Sequence, residues 1–210
     1  MRPVDDLPER LALPLASGES WWYWLGGRPA LDLVNTLRER WRRRVETLVT
    51  PDDLALWLVR ADLLAEPVPV TADMLDDARA LREAIDACVT ATLTGAAPPA
   101  GGIAVIDGWL SRAQTHPTLV LEADGTPVLS EIAPTADAPR RALGAIALDA
   151  AQMLGRGPER ERLRICASDT CSARFYDRSP AGARRWCSMR TCGNEAKARR
   201  HRARAARSGA

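Results

Sequence analysis

The chain has 210 residues, of which 46% are apolar and 27% charged, with a formal net charge of +2. That composition belongs to a folded globular protein and excludes a wholly disordered chain, a collagen-like repeat and a disulfide-stapled miniprotein. No apolar run approaches the roughly 18 residues needed to cross a bilayer, and the acidic opening Met1-Arg2-Pro3-Val4-Asp5-Asp6 lacks the apolar stretch of a signal peptide, so the expected location is the cytoplasm.

Residues 1–28 hold few helix signals. Ser20-Trp21-Trp22-Tyr23-Trp24 is a dense aromatic patch closed by Gly26-Gly27. Such rings bury much area, so the patch either docks a terminal segment on the core or walls a ligand pocket. Pro29 suits the first position of a helix. Leu31, Val34, Leu37, Trp41, Val45 and Leu48 then recur every three or four residues, which predicts one apolar helical stripe. Asp32 and Asn35 lie on a flank of that stripe, and Arg42, Arg43 and Arg44 are expected in solvent. Thr50-Pro51-Asp52-Asp53 reads as a cap followed by proline and acids, opening a second helix to about Ala65. Thr71 caps a third helix, on which Met74, Ala78, Leu81, Ile85 and Cys88 share one face. Cys88 therefore reads as a small buried hydrophobe. Gly95 to Gly102 is a Gly/Ala/Pro joint, followed by a fourth helix over about Ile103–Gln114. The β-prone runs Thr118–Glu122 and Pro127–Ile132 flank Asp124-Gly125 and predict a β-hairpin. A fifth helix over about Ala138–Leu154 ends at Gly155-Arg156-Gly157-Pro158.

That punctuation coincides with a change of charge. Residues 156–210 carry 15 basic side chains against 5 acidic, and residues 1–155 carry 14 against 22. Such a split belongs to a chain with one part facing a polyanion. The expected organisation is α+β: a mostly helical domain with a β-hairpin over residues 1–155, then a small module over residues 160–207.

Four of the five cysteines fall in that module, spaced Cys166-x4-Cys171 and Cys187-x4-Cys192 with fifteen residues between the pairs. Zinc takes four soft ligands in a tetrahedron, and two short turns that each present two thiolates supply them. Two matched pairs therefore predict one closed structural Zn2+ site, with unrelated reduced thiols as the alternative. A closed site has no open position for chemistry. Arg162–Ile165 and Arg174–Asp177 read as two short strands with the first pair at their turn, and the chain after Cys192-Gly193-Asn194 is helix-prone to about Arg207. That order predicts a treble-clef-like finger with a C-terminal basic helix, stabilised largely by its metal. On that helix Lys197, Arg200, His201, Arg204 and Arg207 fall within an arc of about 120°, with Arg199 and Arg202 on the other side. Arg184, Arg185 and Arg190 add charge in the preceding loop. Phosphates are the natural target of such a field; the alternative is a solvated charged tail.

The stretches Phe175-Tyr176-Asp177-Arg178-Ser179, Arg184-Arg185-Trp186-Cys187-Ser188, Cys192-Gly193-Asn194 and Ala196-Lys197-Ala198-Arg199-Arg200-His201-Arg202 strongly resemble the CGNR zinc-finger family. Upstream, Gly27-Arg28-Pro29-Ala30-Leu31-Asp32-Leu33-Val34-Asn35-Thr36 and Thr50-Pro51-Asp52-Asp53-Leu54 resemble its usual companion, the ABATE domain. Together the two cover nearly the whole chain, and the finger motifs are the more specific. Proteins of this family are regarded as bacterial stress-related transcription regulators. The resemblance thus implies zinc at Cys166, Cys171, Cys187 and Cys192 and DNA contact by the C-terminal module. Glu195 stands where the family's signature has arginine. An acid there favours the helix dipole but repels a phosphate, which leaves Arg190 or Arg199 to compensate.

Three functions compete. In the first, the chain is a DNA-binding regulator whose N-terminal domain senses a small molecule or a protein partner. The second is RNA binding, with Phe175, Tyr176 and Trp186 stacking on unpaired bases, against packing of those rings around the zinc. The third is an enzyme in the N-terminal domain, and it is the weakest. HExxH, P-loop, GxSxG and GxGxxG motifs are missing from the sequence, and His116 before Pro117 reads as a surface residue. Trp22, Trp24, Asp32 and Asn35 are the candidate lining of a ligand pocket, or else a buried set that satisfies backbone groups. Sustained heptads that would mark a dimer seam are also missing.

Overall fold

A computed structural model of the chain describes residues 7–113, 118–130 and 138–208, the side chains of Thr118, Ser130 and 205–208 excepted. A 3-10 turn over Glu19–Trp21 precedes helix α1, Pro29–Val34. Pro29 holds the first helical position as expected, but the helix ends after six residues. The predicted single stripe from Leu31 to Leu48 is instead a short helix followed by a two-stranded hairpin, β1 (Leu37–Arg38) and β2 (Val45–Glu46). Tertiary partners override the helical period here. Thr36 turns its hydroxyl back onto the Leu33 carbonyl, and Glu39 and Arg44 take left-handed φ of 49° and 51°. Arg38 and Arg40 go inward, the latter onto Glu83 and Asp86. Leu31, Val34, Leu37, Val45 and Leu48 are buried all the same, whereas Trp41 is 48% exposed.

Helix α2, Pro51–Arg60, opens with a full capping box: the Thr50 side chain accepts from Asp53 N–H while Asp53 accepts from Thr50 N–H. It stops short of Ala65, with Asp62 in the left-handed region just beyond. Helix α3, Ala72–Thr94, runs from a Thr71 cap to a left-handed Gly95. Its face of Met74, Ala78, Leu81, Ile85 and Cys88 is buried as the periodicity predicts. Helix α4, Ala100–Leu110, starts three residues before the expected Ile103 and stops four short of the expected Gln114, the chain turning at residues 111–113; Gln114 itself and His116 lie outside the described residues. The hairpin of β3 (Thr118–Leu121) and β4 (Pro127–Ser130) pairs Leu119 with Leu129 and Val120 with Val128 around the Asp-Gly turn. The expected continuation to Ile132 lies outside the described residues. Helix α5, Ala138–Gly155, matches its prediction and crosses the Arg112–Ala113 backbone at Gly144, where a Cβ would come within 2.6 Å. Helices α1, α3 and α5 bury Leu31, Leu81, Ile85, Leu143 and Ile146 around Trp57 of α2.

After the short helix α6, Gly157–Arg160, the chain returns to this core. Strands β5 (Leu163–Ile165) and β6 (Arg174–Tyr176) pair antiparallel, Leu163 entering the main core. The outer edge of β6 is taken by the larger domain. Asn35 bonds both backbone groups of Arg174, and Tyr176 N–H donates to the Gly26 carbonyl at 2.8 Å. A sheet edge that would otherwise be open is thereby closed. A π-helical turn, Met189–Gly193, leads into helix α7, Asn194–Ser208.

Candidate metal centre and basic surface

The two cysteine pairs sit on two different turns. Cys166 follows β5 and Cys171 precedes β6; Cys166 N–H donates to the Ala173 carbonyl and Cys171 N–H to that of Ser168. Cys187 and Cys192 flank the entry to the π turn. There Ser188 caps Thr191 N–H, and Gly193 lies so close to Met189 that a Cβ would meet its sulfur at 2.9 Å. The connecting loop is shaped by Asp177, which accepts from Ser179 N–H at 2.9 Å and Arg184 N–H at 2.8 Å. Burial opposes its charge, yet hydrogen bonding by the Ser179 side chain together with those two N–H groups pulls its carboxyl down to about 2. Arg184 in turn lies over the Phe175 ring at 5.0 Å and donates to the Cys187 carbonyl at 2.7 Å.

All four sulfurs are buried and lie within 4.8 Å of one another. Zinc–sulfur bonds of about 2.3 Å in a tetrahedron place neighbouring sulfurs about 3.8 Å apart. Cys171 and Cys187 are 3.8 Å apart, as are Cys187 and Cys192. The residues therefore fit a single structural zinc. The four sulfurs perturb one another strongly. Hydrogen bonds from Cys171, Cys187 and Cys192 pull the Cys166 thiol below its ordinary value, while the hydrogen bonds to Cys166 push Cys171 and Cys187 above theirs. Four thiolates packed this closely need a dication to balance them. Tyr23 and Phe175 complete the small apolar shell around the sulfurs.

The basic side chains divide into two groups. Lys197, Arg200, His201, Arg202 and Arg204 are exposed along α7, as are Arg185 and Arg190 before it. Arg199 is half-buried and faces the first knuckle, bonded to Asp169 and 3.4 Å from Glu195. Arg184 is the internal brace described above. The Arg207 side chain lies outside the description. Arg199 is thus already engaged by Glu195, and Arg190 is the exposed member of the pair expected to compensate for it.

The candidate pocket residues are occupied by internal contacts. Trp22 donates from Nε1 to the Thr47 carbonyl at 2.7 Å and meets Trp24 edge-on; Trp24 stacks on Trp57 with centroids 5.6 Å apart. Asn35 clamps β6. Asp32 accepts from Gly26 N–H at 2.7 Å. Burial pushes the Asp32 carboxyl up to about 7 against that hydrogen bond, and the nearby Asp149 raises it further.

Among the described residues the structure shows cavities that the sequence does not announce, two of which bear on function. One, of about 320 Å³, lies beside the cysteines and is lined by Tyr23, Arg38, Arg42, Cys171, Cys192 and Glu195 among others. The other, of about 460 Å³, is walled by Ile103, Ile106, Leu110, Ala151 and Leu154, with Asp107 and Arg160 as its charged groups. Among the described residues, no helix is long and apolar enough to cross a membrane.

Two family models match the chain. Residues 27–157 match ABATE, described as "Putative stress-induced transcription regulator", and residues 162–205 match the CGNR zinc finger. Neither is an enzyme family. No curated protein matches the chain.

Proposed function

The chain belongs to the ABATE family and carries a CGNR zinc finger, and on that premise we propose that it is a transcription regulator whose finger binds DNA and whose larger domain senses a small molecule or a protein partner. The observation that carries this reading is the set of exposed cations around α7, Lys197, Arg200, Arg202 and Arg204, rooted directly on the four-cysteine cluster. A solvated tail needs no such root. Here the helix starts two residues after Cys192, and Arg199 is tied to Asp169 of the opposite knuckle, so the charges are held in fixed register. Fixed cations take phosphates at a smaller ordering cost than a loose tail.

The same geometry favours duplex DNA over unpaired RNA. Phe175 is fully buried, and the Tyr176 hydroxyl donates to Glu159 at 2.8 Å beneath Arg28. Trp186 packs on the cysteine shell with Arg185 above it. Rings so occupied are not available as stacking platforms. For the sensing role, the 460 Å³ cavity has the size of a small-molecule site and the apolar walls such sites use. Its wall α4 buries Ile106 and rests Trp109 and Leu110 against the core.

The test is zinc content per chain on protein purified without added metal, with duplex DNA and structured RNA titrated in parallel at two salt concentrations. One zinc per chain and salt-sensitive binding that prefers duplex DNA support the reading. A preference for structured RNA transfers it to the RNA function, and no binding at low salt refutes it.

A further inference from the structure

Resting on that DNA-binding reading, we infer that the β1–β2 loop, residues 39–44, is a second phosphate-binding element beside the finger, with Arg42 as its main contact and Arg44 flanking it. Glu39-Arg40-Trp41-Arg42-Arg43-Arg44 belongs to the acidic part of the sequence, but the hairpin delivers it to the zinc module. Arg40 N–H donates to Ser172 Oγ at 2.9 Å, and Trp41 Nε1 donates to the Asp169 carbonyl at 3.2 Å. The Arg174 guanidinium lies 5.3 Å from the centre of the Trp41 ring. Asp169 also holds Arg199 of α7. Loop and basic helix therefore share one anchor, the turn between the first two cysteines. Arg42 lines the same 320 Å³ cleft as Cys192 and Glu195, at the first turn of α7.

The four arginines of the run have different fates. Arg40 is 8% exposed and bound to Glu83 and Asp86. Arg43 grips both carboxylate oxygens of Glu39, at 2.8 and 2.7 Å, and donates to the Pro8 and Glu9 carbonyls. Both are committed to structure. Arg42 and Arg44 are exposed. The carboxylate oxygen near Arg42 belongs to Glu39, stands 3.8 Å away and already serves Arg43. Arg44 reaches the Arg40 carbonyl at 3.5 Å. Each thus keeps guanidinium donors facing solvent, which is the chemistry that takes a phosphate.

The charge balance of the face points the same way. Glu39 cancels Arg43, and Asp169 cancels Arg199. Glu9 and Glu195 also line the cleft, the latter 3.4 Å from Arg199. Against those two carboxylates stand the exposed Arg42 and Arg44 of the loop and Lys197, Arg200 and Arg202 of α7, so the balance stays positive. A loop fixed to the side of the helix lets one protein meet phosphates in two places, and each adds its own counterion release.

The experiment measures anisotropy of labelled duplex DNA against zinc-loaded full-length protein between 50 and 200 mM salt. The proteins are wild type, Arg42→Ala/Arg44→Ala, and Lys197→Ala/Arg200→Ala as a helix control, each checked for zinc content. Loss of two phosphate contacts lowers the salt slope by about two and narrows the affinity change over that salt range by about tenfold. That result, matched by the helix control, supports the inference. Wild-type binding with an unchanged slope in the loop variant overturns it and leaves the DNA-binding reading standing. No wild-type binding overturns both. Should the double variant lose zinc, the single exposed substitution Arg42→Gln decides the matter through a slope change of about one.

Discussion

Replacing Asn35 by leucine tests how the two parts of the chain are joined. Asn35 is 3% exposed; its Nδ2 donates to the Arg174 carbonyl at 2.9 Å, and its Oδ1 accepts from Arg174 N–H at 2.9 Å. Leucine has nearly the same size and neither group. The substitution leaves a buried N–H and a buried C=O on the outer edge of β6 without those partners. Each orphan costs about 1–3 kcal/mol, partly offset by about 1 kcal/mol of added apolar burial. The net loss expected is about 3 kcal/mol, or a Tm lower by roughly 6–12 °C for a chain of this size. Urea titration of the zinc-loaded protein reads it as a lower midpoint at unchanged slope, with zinc content still one per chain. A loss below about 1 kcal/mol refutes the reasoning, because the bonds of Tyr176 to Gly26 and of Arg174 to Asp86 would then be sufficient to hold β6.

Other outcomes follow from the same geometry. Cys187→Ser removes a central member of the sulfur cluster, so zinc content falls to near zero and the module loses its protection from amide exchange; retention of stoichiometric zinc would refute the four-sulfur site. Asp32 holds its proton to about pH 7 in the fold against a reference value of 3.8, so its contribution to stability is present below pH 4 and lost as pH rises through 7. Asp32→Asn keeps an acceptor for Gly26 and should therefore gain on wild type by about 3 kcal/mol between pH 4 and 8, a figure discounted for its partial exposure; parallel stability curves for the two proteins would contradict this. Gly144→Ala places a methyl 2.6 Å from the Ala113 nitrogen, and the contact of α5 with the Arg112–Ala113 backbone must open at a cost of about 1–3 kcal/mol, read as a lower denaturation midpoint.

Much of this protein is written locally. Thr50 with Asp53, Thr71, and Gly95 after Thr94 are capping chemistry, and the helices they bound follow from near neighbours. The face of α3 and the Asp-Gly hairpin likewise depend on period and turn type. The cysteine spacing announces the zinc site because four thiols at two turns satisfy a metal with little else required. What the sequence could not express is which long-range partner wins. The stripe from Leu31 to Leu48 has a helical period, yet Asn35 leaves it to clamp Arg174, 139 residues away, and Arg40 leaves it for Glu83. Those contacts are worth more than the last helical turns they replace, and no window of neighbours contains them. The same substitution of distant partners for local pattern packs the tryptophans into the core and brings Trp41 and Arg42 to the finger. Spacing along the chain thus determined the metal ligands and most helices; only packing between residues far apart decided where the arginines stand.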